Sequence, residues 1–92
     1  MAKSIIHDNN ECYICGRYGQ TQCHHIFYGR KNRQKSDDYG LTVRLCYDCH
    51  QGPNGVHRNK HIDIYLKQKG QAEFEKTHSR EEFMKIFGKN YL

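Results

Sequence analysis

Two C-x2-C pairs, Cys12/Cys15 and Cys46/Cys49, constrain this chain more than any other feature of its sequence. Four thiolates paired in this way, with a spacer of roughly thirty residues between the pairs, can converge tetrahedrally on one zinc ion. Cys12-Tyr13-Ile14-Cys15-Gly16 reads as a zinc knuckle whose glycine permits the tight turn, and the end of a strand running into a helix supplies the second pair. Such a closed site leaves no open coordination position. Its role is to hold the fold, at a contribution on the order of 10 kcal/mol in small zinc domains. The chain needs that staple, because 92 residues with 36% hydrophobic content bury too little apolar surface to be comfortably stable alone. Cys23, the fifth cysteine, reads as a small buried thiol.

An extracellular disulfide framework normally uses an even cysteine count behind a signal peptide, and MAKSIIHDNN contains no apolar stretch of that kind. A reducing, cytoplasmic compartment is therefore expected. No segment approaches the roughly 20 apolar residues that cross a bilayer, so no membrane partner is expected. Cys46-Tyr47-Asp48-Cys49-His50 also matches the signature of covalent haem attachment. That reading would leave Cys12/Cys15 without purpose and would require export, so no haem is expected. The net charge of +5 suits a polyanionic partner. Arg30, Lys31, Arg33 and Lys35 crowd one segment and Arg58 and Lys60 form a second group, while Glu73, Glu75, Glu81 and Glu82 fall in the last third.

One domain is expected over residues 1–92, with a loose N-terminal arm (1–10), a zinc-bound core (12–57) and C-terminal helices (59–92). A first strand is placed at about Gln20 to Phe27, and the polar, charged segment Tyr28 to Gly40 reads as a loop. Leu41, Val43 and Leu45 alternate with Thr42 and Arg44, the period of a half-buried strand leading into Cys46. Gly52-Pro53-Asn54-Gly55 reads as a turn. The spacing then predicts a helix from about Asn59 to Thr77, with Ile62, Tyr65 and Leu66 on one face and Gly70 weakening its middle. Ser79-Arg80-Glu81-Glu82 is a capping box that opens a last helix, with Phe83, Met84, Ile86 and Phe87 in the core and Gly88 at its end.

Of the seven histidines, four are unusually placed. His24 and His25 are adjacent on the first strand, so their side chains point to opposite faces and their roles must differ. If one imidazole binds a metal, the other can act as a base, with a titration range near neutrality. Convergence of the cysteines carries His50 towards the first strand, which makes a second, open metal site possible, and His57 follows the turn. His7, His61 and His78 have no such context and read as solvated.

In this order, Cys12-x2-Cys15, Cys23-His24-His25-Ile26 and Leu45-Cys46-x2-Cys49-His50 resemble the HNH endonucleases (His-Me finger, ββα-metal) in their four-cysteine form. The small members carried by phages and mobile elements are the most similar. The likeness covers residues 12–57 and implies a small α+β zinc domain. Its ββα-metal, treble-clef-like core would comprise a zinc knuckle and a two-stranded hairpin, followed by C-terminal helices. It also implies His24 and His50 as ligands of a catalytic divalent metal (Mg²⁺, Mn²⁺, Ni²⁺ or Zn²⁺), His57 as a third, and His25 as general base. Zinc on Cys12, Cys15, Cys46 and Cys49 would be structural. The implied partner is DNA, expected to be double-stranded, gripped through phosphates by Arg30, Lys31, Arg33, Arg58 and Lys60. A protein partner for targeting would fit, in the cytoplasm of a bacterium or phage-infected host cell. Leu41 occupies the position of the family's asparagine, and Asn54, Asn32 or His57 would substitute for it. The alternative is a non-catalytic treble-clef zinc module that binds nucleic acid or protein.

Overall fold

The computed structural model describes residues 3–7 and 9–92; Asp8, within the expected arm, lies outside them with residues 1–2. The order of elements is β1 (Gln22–His25), α1 (Asn32–Tyr39), β2 (Thr42–Leu45), α2 (Tyr47–Gln51), α3 (Lys60–Phe74) and α4 (Arg80–Phe87). Among the described residues this is a small α+β fold with one two-stranded antiparallel hairpin and four helices. Among the described residues no helix is long and apolar enough to cross a membrane.

The hairpin follows from the alternation around Val43. Gln22 pairs with Leu45, Cys23 with Arg44, His24 with Val43 and His25 with Thr42. Val43 and Leu45 are fully buried, but Thr42 is buried as well, so both faces of β2 are covered at its start. What covers it there includes the N-terminal arm. Ser4 Oγ donates to the Thr42 carbonyl and the Ile5 amide to the Gly40 carbonyl at 2.9 Å, so this part of the arm is tied down rather than loose.

The segment between the strands corrects the expected loop. Asn32–Tyr39 is a helix, and Gly40 closes it in the left-handed conformation at φ 70°. The only buried residue of α1 is Ser36. Its hydroxyl accepts from the Phe27 amide (3.1 Å) and donates to the Phe27 carbonyl (2.6 Å), so a polar clasp anchors the helix where an apolar stripe usually would.

α3 starts where Asn59 caps it, accepting from the amides of His61 (3.0 Å) and Ile62 (3.3 Å). Leu66, Gly70, Gln71 and Phe74 are buried at helical spacing. Gly70 does more than weaken the helix: a Cβ there would stand 3.1 Å from Phe27 Cε2 and 3.3 Å from Ile26, so its absence lets α3 lie close on the end of β1. Tyr65, expected on the buried face, is 47% exposed, and Met84, expected in the core, is 45% exposed.

Ser79 caps α4 by accepting from the Glu82 amide at 3.0 Å, and Gly88 ends the helix at φ 77°. The core joins these helices to the hairpin through aromatic rings. Phe27 meets Phe83 and Phe87 with centroids 5.2 and 4.6 Å apart, and Phe74 meets Phe83 at 5.5 Å. Gln71 is fully buried yet satisfied, its amide nitrogen donating to Glu75 and Asn90 and its oxygen accepting from the Tyr91 amide.

Candidate metal centres

The four paired cysteines come together. Cys12 to Gly16 makes a tight loop in which the Gly16 amide donates to the Cys12 carbonyl (2.9 Å) and the Cys15 amide points at Cys12 Sγ (3.5 Å). Tyr13 N donates to the Arg44 carbonyl at 2.8 Å, which lays this knuckle beside β2. Cys46 ends β2 and caps α2, and Cys49 sits on the first turn of that helix. All four sulfurs lie within 4.8 Å of one another. Two thiolates about 2.3 Å from one tetrahedral zinc stand about 3.8 Å apart; Cys15 Sγ and Cys46 Sγ are 3.6 Å apart.

The electrostatics of this cluster favour a cation. Burial raises the Cys12 thiol, but amide hydrogen bonds from Cys15, Cys46 and Ile14 outweigh it and bring the thiol down to about 6. Cys49 is raised, by burial and then by the neighbouring sulfurs. One sulfur readily carries negative charge and the next resists it, which is the behaviour of a thiolate nest that a divalent ion would balance. The four cysteines therefore form a cluster that could hold a structural zinc ion.

A second constellation lies across the hairpin. One ring nitrogen from each of His24, His50 and His57 lies within 4.8 Å of the others. The strand alternation turns His24 inward, where it is 2% exposed, and its Nε2 has no hydrogen-bond partner among the described residues. A buried ring nitrogen without a partner is costly unless an ion or ligand takes its lone pair. His50 leaves α2 towards β1, and its Nδ1 donates to the Gln22 amide oxygen at 2.7 Å, so its Nε2 keeps a lone pair. That Nε2 stands 3.1 Å from His57 Nε2. Two nitrogens bound at about 2.0–2.1 Å to one ion stand about 3 Å apart, so this spacing fits a shared metal.

His57 reaches the group because the Gly52-Pro53-Asn54-Gly55 turn folds back on α2. Val56 N donates to the Cys49 carbonyl at 2.7 Å. A Cβ on Gly52 would stand 2.6 Å from the Asp48 carbonyl oxygen, and one on Gly55 would stand 2.9 Å from the His50 backbone, so only glycine allows this approach. The insertion between His50 and His57 therefore joins the two imidazoles rather than separating them.

Burial first, then the neighbouring His50 and His57, pushes the His24 imidazole down to about 3; burial and His57 also lower His50. Both stay neutral and available as ligands at physiological pH. The sign for stability follows. Below the ordinary value of 6.5 the unfolded chain takes up a proton that folded His24 refuses, so stability present above that pH is lost as pH falls towards 3. From His24 alone the loss is about 1.4 kcal/mol per pH unit. Denaturant midpoints of the wild type should therefore fall between about pH 6 and pH 4 more steeply than those of His24→Gln. Equal slopes would show that His24 is not held neutral.

His25 points the other way, as alternation requires, and its Nε2 meets Asp37 Oδ1 at 2.8 Å. These side chains are 13% and 20% exposed. A carboxylate only accepts, so Nε2 carries the proton and Nδ1 keeps the lone pair. Asp37 follows the clasped Ser36 on α1, which fixes its position. It was invisible to sequence reasoning because it lies in a segment read as loop. Leu41, expected where the resemblance puts an asparagine, is fully buried in the core. His25 is held by Asp37, and His57, expected with Asn54 or Asn32 to stand in for the asparagine, lies in the imidazole cluster.

His24, His25, His50 and His57 line one open cleft of ≈ 260 Å³ with Cys23, Tyr28 and Arg33. Cys23 is half-buried on this cleft and not part of the core, which corrects its expected burial. Of the expected basic residues, Arg33 lines this cleft, and Arg58 and Lys60 line the neighbouring one beyond His57. Arg30 and Lys31 are exposed before α1 and line neither. His61 and His78 are exposed as expected, the His78 ring stacking on Phe74 at 4.3 Å, whereas His7 is half-buried and its Nε2 bonds the Glu11 carbonyl. No protein-family model, curated protein or solved structure matches the chain, so any functional reading rests on these residues themselves.

Proposed function

We propose that this protein is a metal-dependent DNA endonuclease of the HNH type, with a ββα-metal core stapled by zinc on Cys12, Cys15, Cys46 and Cys49. The observation that carries the reading is the shared cleft. Three imidazoles with the spacing of a metal site stand beside a fourth whose free ring nitrogen is set by a carboxylate.

Three protein ligands leave positions open for substrate, unlike the closed four-sulfur site. A divalent ion held by His24, His50 and His57 would supply positive charge against the phosphate oxygens and the leaving 3′ oxygen as the bond breaks. His25 takes a proton at Nδ1 from the water that attacks phosphorus. Asp37 holds His25 in the correct tautomer through Nε2–H and favours the imidazolium as it forms. Arg33, on the rim of the same cleft, offers a guanidinium to the phosphate, and Arg58 and Lys60 can neutralise a flanking one. Gln22 keeps His50 oriented.

The test is plasmid cleavage with zinc-loaded protein across Mg²⁺, Mn²⁺ and Ni²⁺. Wild type should nick and linearise DNA in at least one of them and stop on chelation. His25→Ala should retain the fold and lose about a hundredfold or more in rate, as expected for removal of a general base. Cleavage by His25→Ala at the wild-type rate would overturn the mechanism. A second reading, a non-catalytic treble-clef module, has only the Leu41 substitution in its favour, and the His25–Asp37 pair has no role in it.

A further inference from the structure

We infer that the cleft beside the imidazole cluster, walled by Tyr28 and the start of α3, seats one unpaired nucleotide next to the phosphate that is cut. The inference deepens the nuclease reading and rests on it for the position of the cut phosphate.

This second cleft has a volume of ≈ 420 Å³, within the ~300–1,000 Å³ of typical small-ligand sites. It adjoins the first, since Tyr28 and His57 line both. A strand whose phosphate lies among the imidazoles must therefore send its neighbouring nucleotide either into this space or out to solvent. The Tyr28 ring is 39% exposed and is held in place by what surrounds it. Its centroid lies 5.4 Å from that of His57 and 5.9 Å from that of His24, and the Lys67 ammonium stands 4.5 Å from it. Lys67 is in turn fixed by Asp63 at 2.9 Å, both side chains being almost buried. Lys67 covers one face of this partly exposed ring, so a base would stack on the face turned away from it, beside the cleft that would hold the phosphate.

Two further features identify the occupant. Arg58 and Lys60 are exposed cations on the wall of the cleft, placed for the next phosphate along the strand. Asp63, 8% exposed, also lines the cleft, its Oδ2 accepting from Lys67. Each nucleobase carries an N–H donor on its pairing edge, and a carboxylate on the wall of the cleft is an acceptor of the matching kind. Both the stacking face and that edge are covered in an intact duplex, and both are free in an unpaired base. The favoured DNA is thus one with a flap, gap, overhang or extruded base at the cut.

The experiment compares binding of a short labelled single strand with that of the same sequence in a blunt duplex, by fluorescence anisotropy. Zinc-loaded protein is used without added Mg²⁺ or Mn²⁺. Wild type should prefer the strand. Tyr28→Leu should lower the strand-over-duplex preference about tenfold, within the range of losing one stacking platform, and Tyr28→Phe should restore most of it. No preference in wild type, or an unchanged preference in Tyr28→Leu with wild-type zinc content and melting, overturns the inference. Because the readout is binding, this failure is distinct from failure of the nuclease reading, which would appear as absent plasmid cleavage.

Discussion

Stripping the four-cysteine site with a strong chelator, or replacing Cys46 with serine, should abolish the cooperative fold. Cys12 and Cys46 are 2% and 3% exposed, so their sulfurs belong to the core as well as to the metal site. With the ion removed, four sulfurs remain crowded together, one of them a readily ionised thiol and another raised by burial and its neighbours, and the knuckle is left with little beyond the Tyr13–Arg44 backbone bond to hold it to β2. A structural zinc contributes on the order of 10 kcal/mol, comparable with the roughly 5–15 kcal/mol total stability of a domain. Circular dichroism should show loss of the melting transition on chelation and its return on adding zinc. Metal analysis of Cys46→Ser should show the sulfur-bound zinc lost. A chelated protein that still melts cooperatively at the wild-type temperature would mean that the sulfurs are clustered without a structural ion.

How far the sequence disclosed this arrangement depended on whether each signal is local. C-x2-C spacing, the Ser79 cap with Glu82, the Gly88 stop and the alternation around Val43 all act within a few residues, and each appears at its expected place. α1 was hidden because its anchor is a serine hydroxyl bonded to both backbone groups of Phe27, which leaves no apolar period to detect. Asp37 was hidden with it. Tyr65 and Met84 were misassigned because periodicity places a residue near a buried face but not how far that face extends around the helix. The turn glycines read correctly as a turn, yet their effect, bringing His57 to 3.1 Å from His50, is a property of tertiary contact.

The division of labour within the site comes from strand geometry. Adjacent residues on β1 must face opposite ways, so His24 is delivered to His50 and His57, and His25 to Asp37. In the proposed mechanism the hairpin thereby separates the nitrogen that would face a metal from the one that would take a proton, while both histidines line one cleft. A one-residue slip in register would exchange the two and destroy both groupings.

That separation makes the second large prediction specific. His24→Ala or His50→Ala should remove binding of the second divalent ion and all measurable plasmid cleavage, while leaving the sulfur-bound zinc and the fold in place. Loss of an outer partner of a metal ligand costs about 10–100-fold in affinity, which is the effect expected for Gln22→Leu acting through His50. Loss of a direct ligand from a set of three should cost more than that. His25→Ala should behave oppositely, keeping the metal affinity and losing the rate. Calorimetric titration of zinc-loaded proteins with Mn²⁺ or Ni²⁺, run beside the cleavage assay, separates the cases. If His50→Ala bound the added metal as wild type does and still cut DNA, the imidazole cluster would not be the catalytic centre, whatever the role of His25.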